Sequence, residues 1–350
     1  MKTLTPSGQD AGVPQVAVDA DGDAVFTWAL FDGTSTRIQA QARSAAGTWS
    51  AVQDLSDPGQ SAYAPQVAVD ADGDAVFTWQ RSDGTDTRIQ ARARSATGTL
   101  SAVKTLSENG RSANTPEVAV DPGGDAVFAW ERVDRQGFVR IQARARSAGA
   151  PWSSVQNLSD PGHDAYSPKV GIDRDGDAVF TWVRSDGINQ DHWVQARARS
   201  AAGALSAVQD LSDPDHNGFP PQVAVDRDGD AVFTWSHWDG ANFRVQARAR
   251  SRSGTLSAVQ PLSDNGRNAG EPQVAVYPDG NAVFTWQRPD GPGFVRIQAR
   301  ERSATGTLST VHNLSDSGQH AFYPQVAVDP GGDAVVTWTL YGLVQASAGP

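Results

Sequence analysis

Residues 65–79 read Pro-Gln-Val-Ala-Val-Asp-Ala-Asp-Gly-Asp-Ala-Val-Phe-Thr-Trp, and with small changes this stretch recurs seven times. The tryptophans that end it are Trp28, Trp79, Trp130, Trp182, Trp235, Trp286 and Trp338, at spacings of 51, 51, 52, 53, 51 and 52 residues. A fixed period of this size marks one small supersecondary unit repeated along the chain. Within residues 65–107 the pattern predicts four short strands: A at Pro65–Asp70, B at Asp74–Arg81, C at Arg88–Arg94 and D at Leu100–Ser107. Asp72-Gly73, Asp83-Gly84 and Thr97-Gly98 supply the turns between them. Phe77 and Trp79 fall on one face of strand B, Val76 and Thr78 on the other. No window holds a period of 3.6, so helices are expected to be absent or trivial.

Four-stranded units at this period are the blades of a β-propeller. The last unit supplies strands A, B and C (Pro324–Asp329, Asp333–Leu340, Leu343–Ser347) and no fourth. Met1-Lys2-Thr3-Leu4 aligns with Val103-Lys104-Thr105-Leu106 of a D strand, and Gly8 and Pro14 then fall on Gly110 and Pro116 without a gap. The expectation is an all-β, seven-bladed propeller of four-stranded blades, one domain over residues 1–350. Blade 7 is made of 324–350 plus 1–6, so that the N-terminal strand closes the ring and removes open sheet edges.

The repeat resembles the P-Q-V-A-V-D…G-x-A-V-x-x-W units of uncharacterised bacterial propeller-type proteins, over essentially the whole chain. The resemblance implies a fold and no activity. A start and stop at strand boundaries fit a trimmed or engineered form of such a protein.

The 350 residues carry 29 Lys and Arg against 40 Asp and Glu, a net charge of −11. That balance disfavours nucleic acid and anionic membranes as partners, since both are held by basic surfaces. There is no cysteine, hence no disulfide, thiolate nucleophile or Cys-based zinc site. No stretch approaches 18 apolar residues, and Met1 leads straight into a repeat, which predicts a soluble monomer or the mature form of a secreted one.

The seven units differ from one another unevenly. From each strand-C glutamine (Gln39, Gln90, Gln142, Gln195, Gln246, Gln298) the next repeat tryptophan is always 40 residues on. From the repeat tryptophan to that glutamine is 11, 11, 12, 13, 11 and 12, and 7 in the last unit, so every length change lies in the B–C connection. Alternating strands put the B–C and D–A loops on one face, which becomes the candidate binding surface. His163, His216 and His320 lie in D–A loops and His192 and His237 at or beside B–C loops; only His312 lies in a D strand. Seven of the eleven tryptophans are the repeat tryptophans, and Trp49 and Trp152 follow C–D turns. The last two, Trp193 and Trp238, belong to the B–C segments of blades 4 and 5. Asp191, His192, Trp193, His216, Phe219, His237 and Trp238 thus define a candidate ligand site in the cleft between blades 4 and 5. Exposed rings beside hydrogen-bonding groups suit a glycan or a peptide. Drift in tolerant loops, with Trp193 covering strand edges, is the alternative.

Other motifs carry less. The A–B turn Asp-x-Asp-Gly-Asp, complete at Asp19/Asp21/Asp23, Asp70/Asp72/Asp74, Asp173/Asp175/Asp177 and Asp226/Asp228/Asp230, starts like a calcium loop. The chain then enters Ala-Val-Phe-Thr-Trp instead of supplying the later ligands, so a structural turn and no metal or cofactor is expected. Paired strand-C arginines such as Arg92/Arg94 and Arg300/Arg302 are read as an inter-blade network with the many aspartates. Catalysis needs an asymmetric set of groups, and the repeats supply symmetry. A binding or scaffold propeller without catalytic activity is therefore favoured over a glycan-directed enzyme or a structural propeller with no ligand.

Overall fold

The computed structural model describes the chain except for residues 1–2, 6–9, 148–150, 188–190, 214–217, 292, 330, 341–342 and 349–350. The regular structure consists of seven antiparallel sheets, one per repeat, and no helix occurs among the described residues. The chain is an all-β, seven-bladed β-propeller. It divides into two compact units, Met1–Gly176 and Asp177–Pro350.

The first unit holds blades 1 to 3 and strand A of the fourth repeat, Asp164–Ile172. In blade 2 the strands run Ala62–Val69, Ala75–Ser82, Thr87–Arg94 and Lys104–Thr105, hydrogen-bonded in that order. Strand A starts earlier than the sequence predicts and strand D is shorter. The early start is a β-bulge: the register with strand B shifts between Tyr63 and Gln66, and Ala64 between them takes φ 49°. Val13, Thr115, Ser167, Glu271 and Tyr323 repeat this left-handed residue, each directly before a proline.

Blades pack through their faces. Val25, Ile38 and Leu55 of blade 1 form one buried cluster with Ala75, Phe77 and Trp79 of blade 2. Phe77 and Trp79 are fully buried, and each large apolar side chain so covered contributes about 1.5–3 kcal/mol. The indole keeps a partner, Nε1 of Trp79 donating to Oε1 of Gln90 at 3.2 Å. Within each unit, strand A of a blade lies against strand A of the next.

The second unit repeats this scheme. Val232, Val245 and Leu262 of blade 5 meet Phe284 and Trp286 of blade 6 in one cluster. Blade 7 has three strands among the described residues, Ala321–Val328, Ala334–Leu340 and Leu343–Ala348. Of the segment expected to add its fourth strand, Met1, Lys2 and Pro6 lie outside the described residues. Blade 5 departs from the pattern at its first strand, which spans only Gln222–Val225. Pro220 stands there at the position of the left-handed residue, and its ring fixes φ near −65°.

Candidate functional site

The D–A loops are gripped by arginines from the two blades they join. Between blades 1 and 2, Arg37 of strand C donates to the Ser56 carbonyl at 2.5 Å, and Arg81 of strand B to that of Pro58 at 3.2 Å. Between blades 2 and 3, Arg88 and Arg132 both reach the Glu108 carbonyl, at 2.6 and 2.5 Å. Between blades 5 and 6, Arg244 reaches Ser263 at 3.2 Å and Arg288 reaches Asn265 at 3.1 Å. Arginines of the two positions also face each other across a ladder, as Arg81 opposite Arg88 and Arg288 opposite Arg296. Like charges so opposed repel. Asp57, Asp83, Asp264 and Asp290 offset them with ion pairs of 2.7 to 3.7 Å. Burial lowers the pKa of Arg132 and Arg288, the expected direction for a cation withdrawn from water.

At the junction of blades 4 and 5 neither position is an arginine. Trp193 holds the strand-C position of Arg37, Arg88, Arg140, Arg244 and Arg296, and His237 the strand-B position of Arg81, Arg132, Arg184 and Arg288. Trp193 differs from its sequence reading as an exposed loop ring: it lies in strand C and is 8% exposed. Its Nε1 donates to Oδ1 of Asp210 at 3.0 Å, and the Arg184 guanidinium sits 4.6 Å from its ring centre. Among the described residues, backbone bonds hold the D–A loop. Gly218 N donates to the His192 carbonyl at 2.6 Å and Phe219 N to that of Ser236 at 2.8 Å, with Gly218 bridged to His237. A Cβ on Gly218 would sit 3.1 Å from Cγ2 of Val194, a tight contact that glycine avoids. Asp191 accepts from Asp186 N at 3.2 Å to close the B–C turn. His216 lies outside the described residues.

Of the predicted site residues, Phe219 and Trp238 meet on a ring that sequence reasoning did not single out. Phe243 takes Phe219 edge-on at 4.9 Å between centroids and Trp238 at 5.0 Å. Phe219 is 37% exposed. Phe243 replaces Thr36, Thr87, Val139 and Val295 of other blades, a departure legible by alignment from the strand-C glutamine.

Phe219, Pro220 and Phe243 form one side of a groove of about 380 Å³, and Glu271, Gln287 and Arg288 belong to the other. This concavity lies between blades 5 and 6, one junction on from the cleft named by the sequence. Asn268 secures the Phe243 backbone, its Oδ1 accepting from Phe243 N at 2.9 Å. Gln287 accepts from Tyr323 N at 3.3 Å, as Gln80 does from Thr115 and Glu131 from Ser167 at 3.3 and 2.7 Å. In blade 4 that acceptor position is Val183, and the matching bulge position of blade 5 is Pro220, which has no N–H to offer. The groove thus forms where strand A of blade 5 is cut short.

On the other face, the A–B turns use their carboxylates internally. Oδ1 of Asp70 accepts from the backbone N of Asp72 and Asp74 at 3.0 and 2.9 Å, and Oδ1 of Asp74 from Ala96 N in the C–D turn at 2.8 Å. No group of three or more His, Asp or Glu among the described residues is arranged to hold a metal ion. The paired strand-C arginines of blade 2 tie it to blade 1 through neutral acceptors. Arg92 donates to the Leu55 carbonyl at 3.0 Å and Arg94 to Oε1 of Gln53 at 2.8 Å.

Solved structures that share this fold include the BP39L lectin from Burkholderia pseudomallei, 13% identical with a TM-score of 0.58 over 95% of this chain and 97% of that one. The β-propeller domain of the Trilobed protease from Pyrococcus furiosus is 10% identical, with a TM-score of 0.57 over 97% and 95%. An ulvan lyase of polysaccharide lyase family 25 is 9% identical, with a TM-score of 0.59 over 97% and 93%. At these identities the likeness is one of fold. No family model matches the chain, and no curated protein does.

Proposed function

We propose that this propeller is a non-catalytic binding module whose ligand, a glycan, seats on the B–C/D–A face in the groove of blades 5 and 6. The observation that carries this reading is the Phe219–Phe243–Trp238 cluster beside a groove bearing Glu271, Gln287 and Arg288. A flat apolar face takes the carbon side of a sugar ring, while carboxylate, amide and guanidinium groups fix its hydroxyls. Glu271 is the only carboxylate of the groove among the described residues, whereas glycoside hydrolysis ordinarily uses two. That a lectin shares the fold agrees with the reading.

A glycan array followed by calorimetry tests it. Phe243→Thr, which installs the residue of blades 1 and 2, and Phe219→Ala should each weaken a hit about tenfold, since a stacked ring contributes about 1–3 kcal/mol in nucleic-acid sites. An array without a hit, a peptide ligand in its place, or an affinity unchanged in both variants would sink the proposal.

A further inference from the structure

Blade 6 departs from the repeat on the opposite face, at three positions that the fold brings together. Tyr277 and Asn281 stand where the six other blades have aspartate, and Glu301 stands where they have alanine. The first aspartate of the turn ordinarily accepts two backbone N–H groups, as Asp226 does from Asp228 and Asp230, both at 2.9 Å. Tyr277 cannot accept them. Asn281 N turns to Oδ1 of Asp279 at 3.0 Å, its Nδ2 donates to Oδ2 at 2.8 Å, and Tyr277 N still closes the turn on the Asn281 carbonyl at 2.8 Å. The phenol donates instead to Oε1 of Glu301 at 3.1 Å. Blade 6 has exchanged a turn-stabilising carboxylate for a half-buried ring beside a carboxylate that no other blade carries.

These residues line a groove of about 670 Å³ shared with the Gly331-Gly332 turn of blade 7. The matching grooves that open on blades 1 and 2 hold about 330 and 420 Å³. Its charges are unequal in reach. Arg302 is 6% exposed and donates to Oε1 of Gln260 and the Ser303 carbonyl at 2.9 and 3.2 Å. Asp279 and Glu301 are exposed. Burial and the Glu301 carboxylate push the Tyr277 phenol up to about 12, which keeps it protonated and donating at neutral pH.

We propose that this groove is a second ligand site, independent of the glycan reading, which takes a primary alkylammonium on an apolar stem. An aromatic face attracts a cation through its quadrupole, and carboxylates accept charge-assisted hydrogen bonds from an ammonium. The room and the apolar ring accommodate the stem.

Ligand-observed NMR titration with Nα-acetyl-lysine amide, and with the uncharged Nα-acetyl-norleucine amide of similar shape, tests the site. The lysine derivative should bind saturably and the norleucine one should not. Glu301→Ala and Tyr277→Asp each install the residue of the other six blades, so the fold is kept. Both should weaken binding about tenfold, the scale of one desolvated cation–π or charged contact. Equal binding of the two probes, no saturation, or wild-type affinity in Glu301→Ala would overturn the proposal. Tyr277→Asp removes the ring and adds a charge, so undiminished binding there would show a general acidic surface and overturn it too.

Discussion

Trp193 stands where five blades have arginine, and its indole does for blade 4 part of what those guanidiniums do elsewhere. It bonds to Asp210, the strand-D residue whose counterpart Asp54 pairs with Arg37 at 3.5 Å. Trp193→Ala should therefore cost about 3–5 kcal/mol of stability in urea denaturation, as for other buried tryptophans, whereas Trp193→Arg should lose far less because Asp210 can pair with it. A Trp193→Ala protein with an unshifted midpoint would show that the ring is not part of the core. The sequence carries this placement: counted back from Gln195, Trp193 falls on the arginine position and not in the loop. Phe243 was legible by the same count, while the 4.9 Å contact that joins it to Phe219 depends on the turn of blade 5 and was not.

At the scale of the strand, the bulge in strand A is the feature that local rules hide. A residue before proline is normally steered to extended backbone, so six left-handed non-glycine residues in that place run against the sequence signal. Tertiary context holds them: where the preceding blade offers Gln80, Glu131 or Gln287, the bulge N–H has an acceptor. In blade 5 the two positions differ together, with Pro220 at the bulge and Val183 at the acceptor position. We predict that Pro220→Ser alone destabilises by about 1–2 kcal/mol, through a bulge N–H without a partner and a looser unfolded chain. Adding Val183→Gln should return about 1 kcal/mol of that. Strictly additive effects in this double-mutant cycle would remove the link between the two positions. The sequence signalled only that blade 5 reads Pro220-Pro221 where others have one proline; that the exchange shortens strand A and opens a groove follows from the φ of a proline ring.

For the whole molecule, the seven repeats made the fold class readable, because a period near 52 residues with four strand patterns leaves little choice of architecture. The chemistry between blades was less readable. An excess of aspartate suggested ion pairs, yet Arg92, Arg248 and Arg300 reach backbone carbonyls at 3.0 to 3.1 Å. Bonds to neutral acceptors are little screened, while a net charge of −11 repels itself. Raising NaCl from about 0.05 to about 0.5 M should thus leave the melting temperature unchanged or raise it, because salt screens the repulsion more than the clasps. A fall of several degrees in calorimetry would show that ion pairs dominate instead.

The same clasps have a consequence for how the protein is made. Leu55, Leu211 and Leu262 offer carbonyls, and Gln80 and Gln287 side-chain oxygens, to donors 35 to 38 residues further along the chain. During synthesis at about 5–20 residues per second, the acceptor of each such pair leaves the ribosome roughly 2 to 8 s before its donor. Each new blade can therefore assemble on a surface its predecessor has already completed, and translation itself sets an order of growth from the N-terminal blade onward.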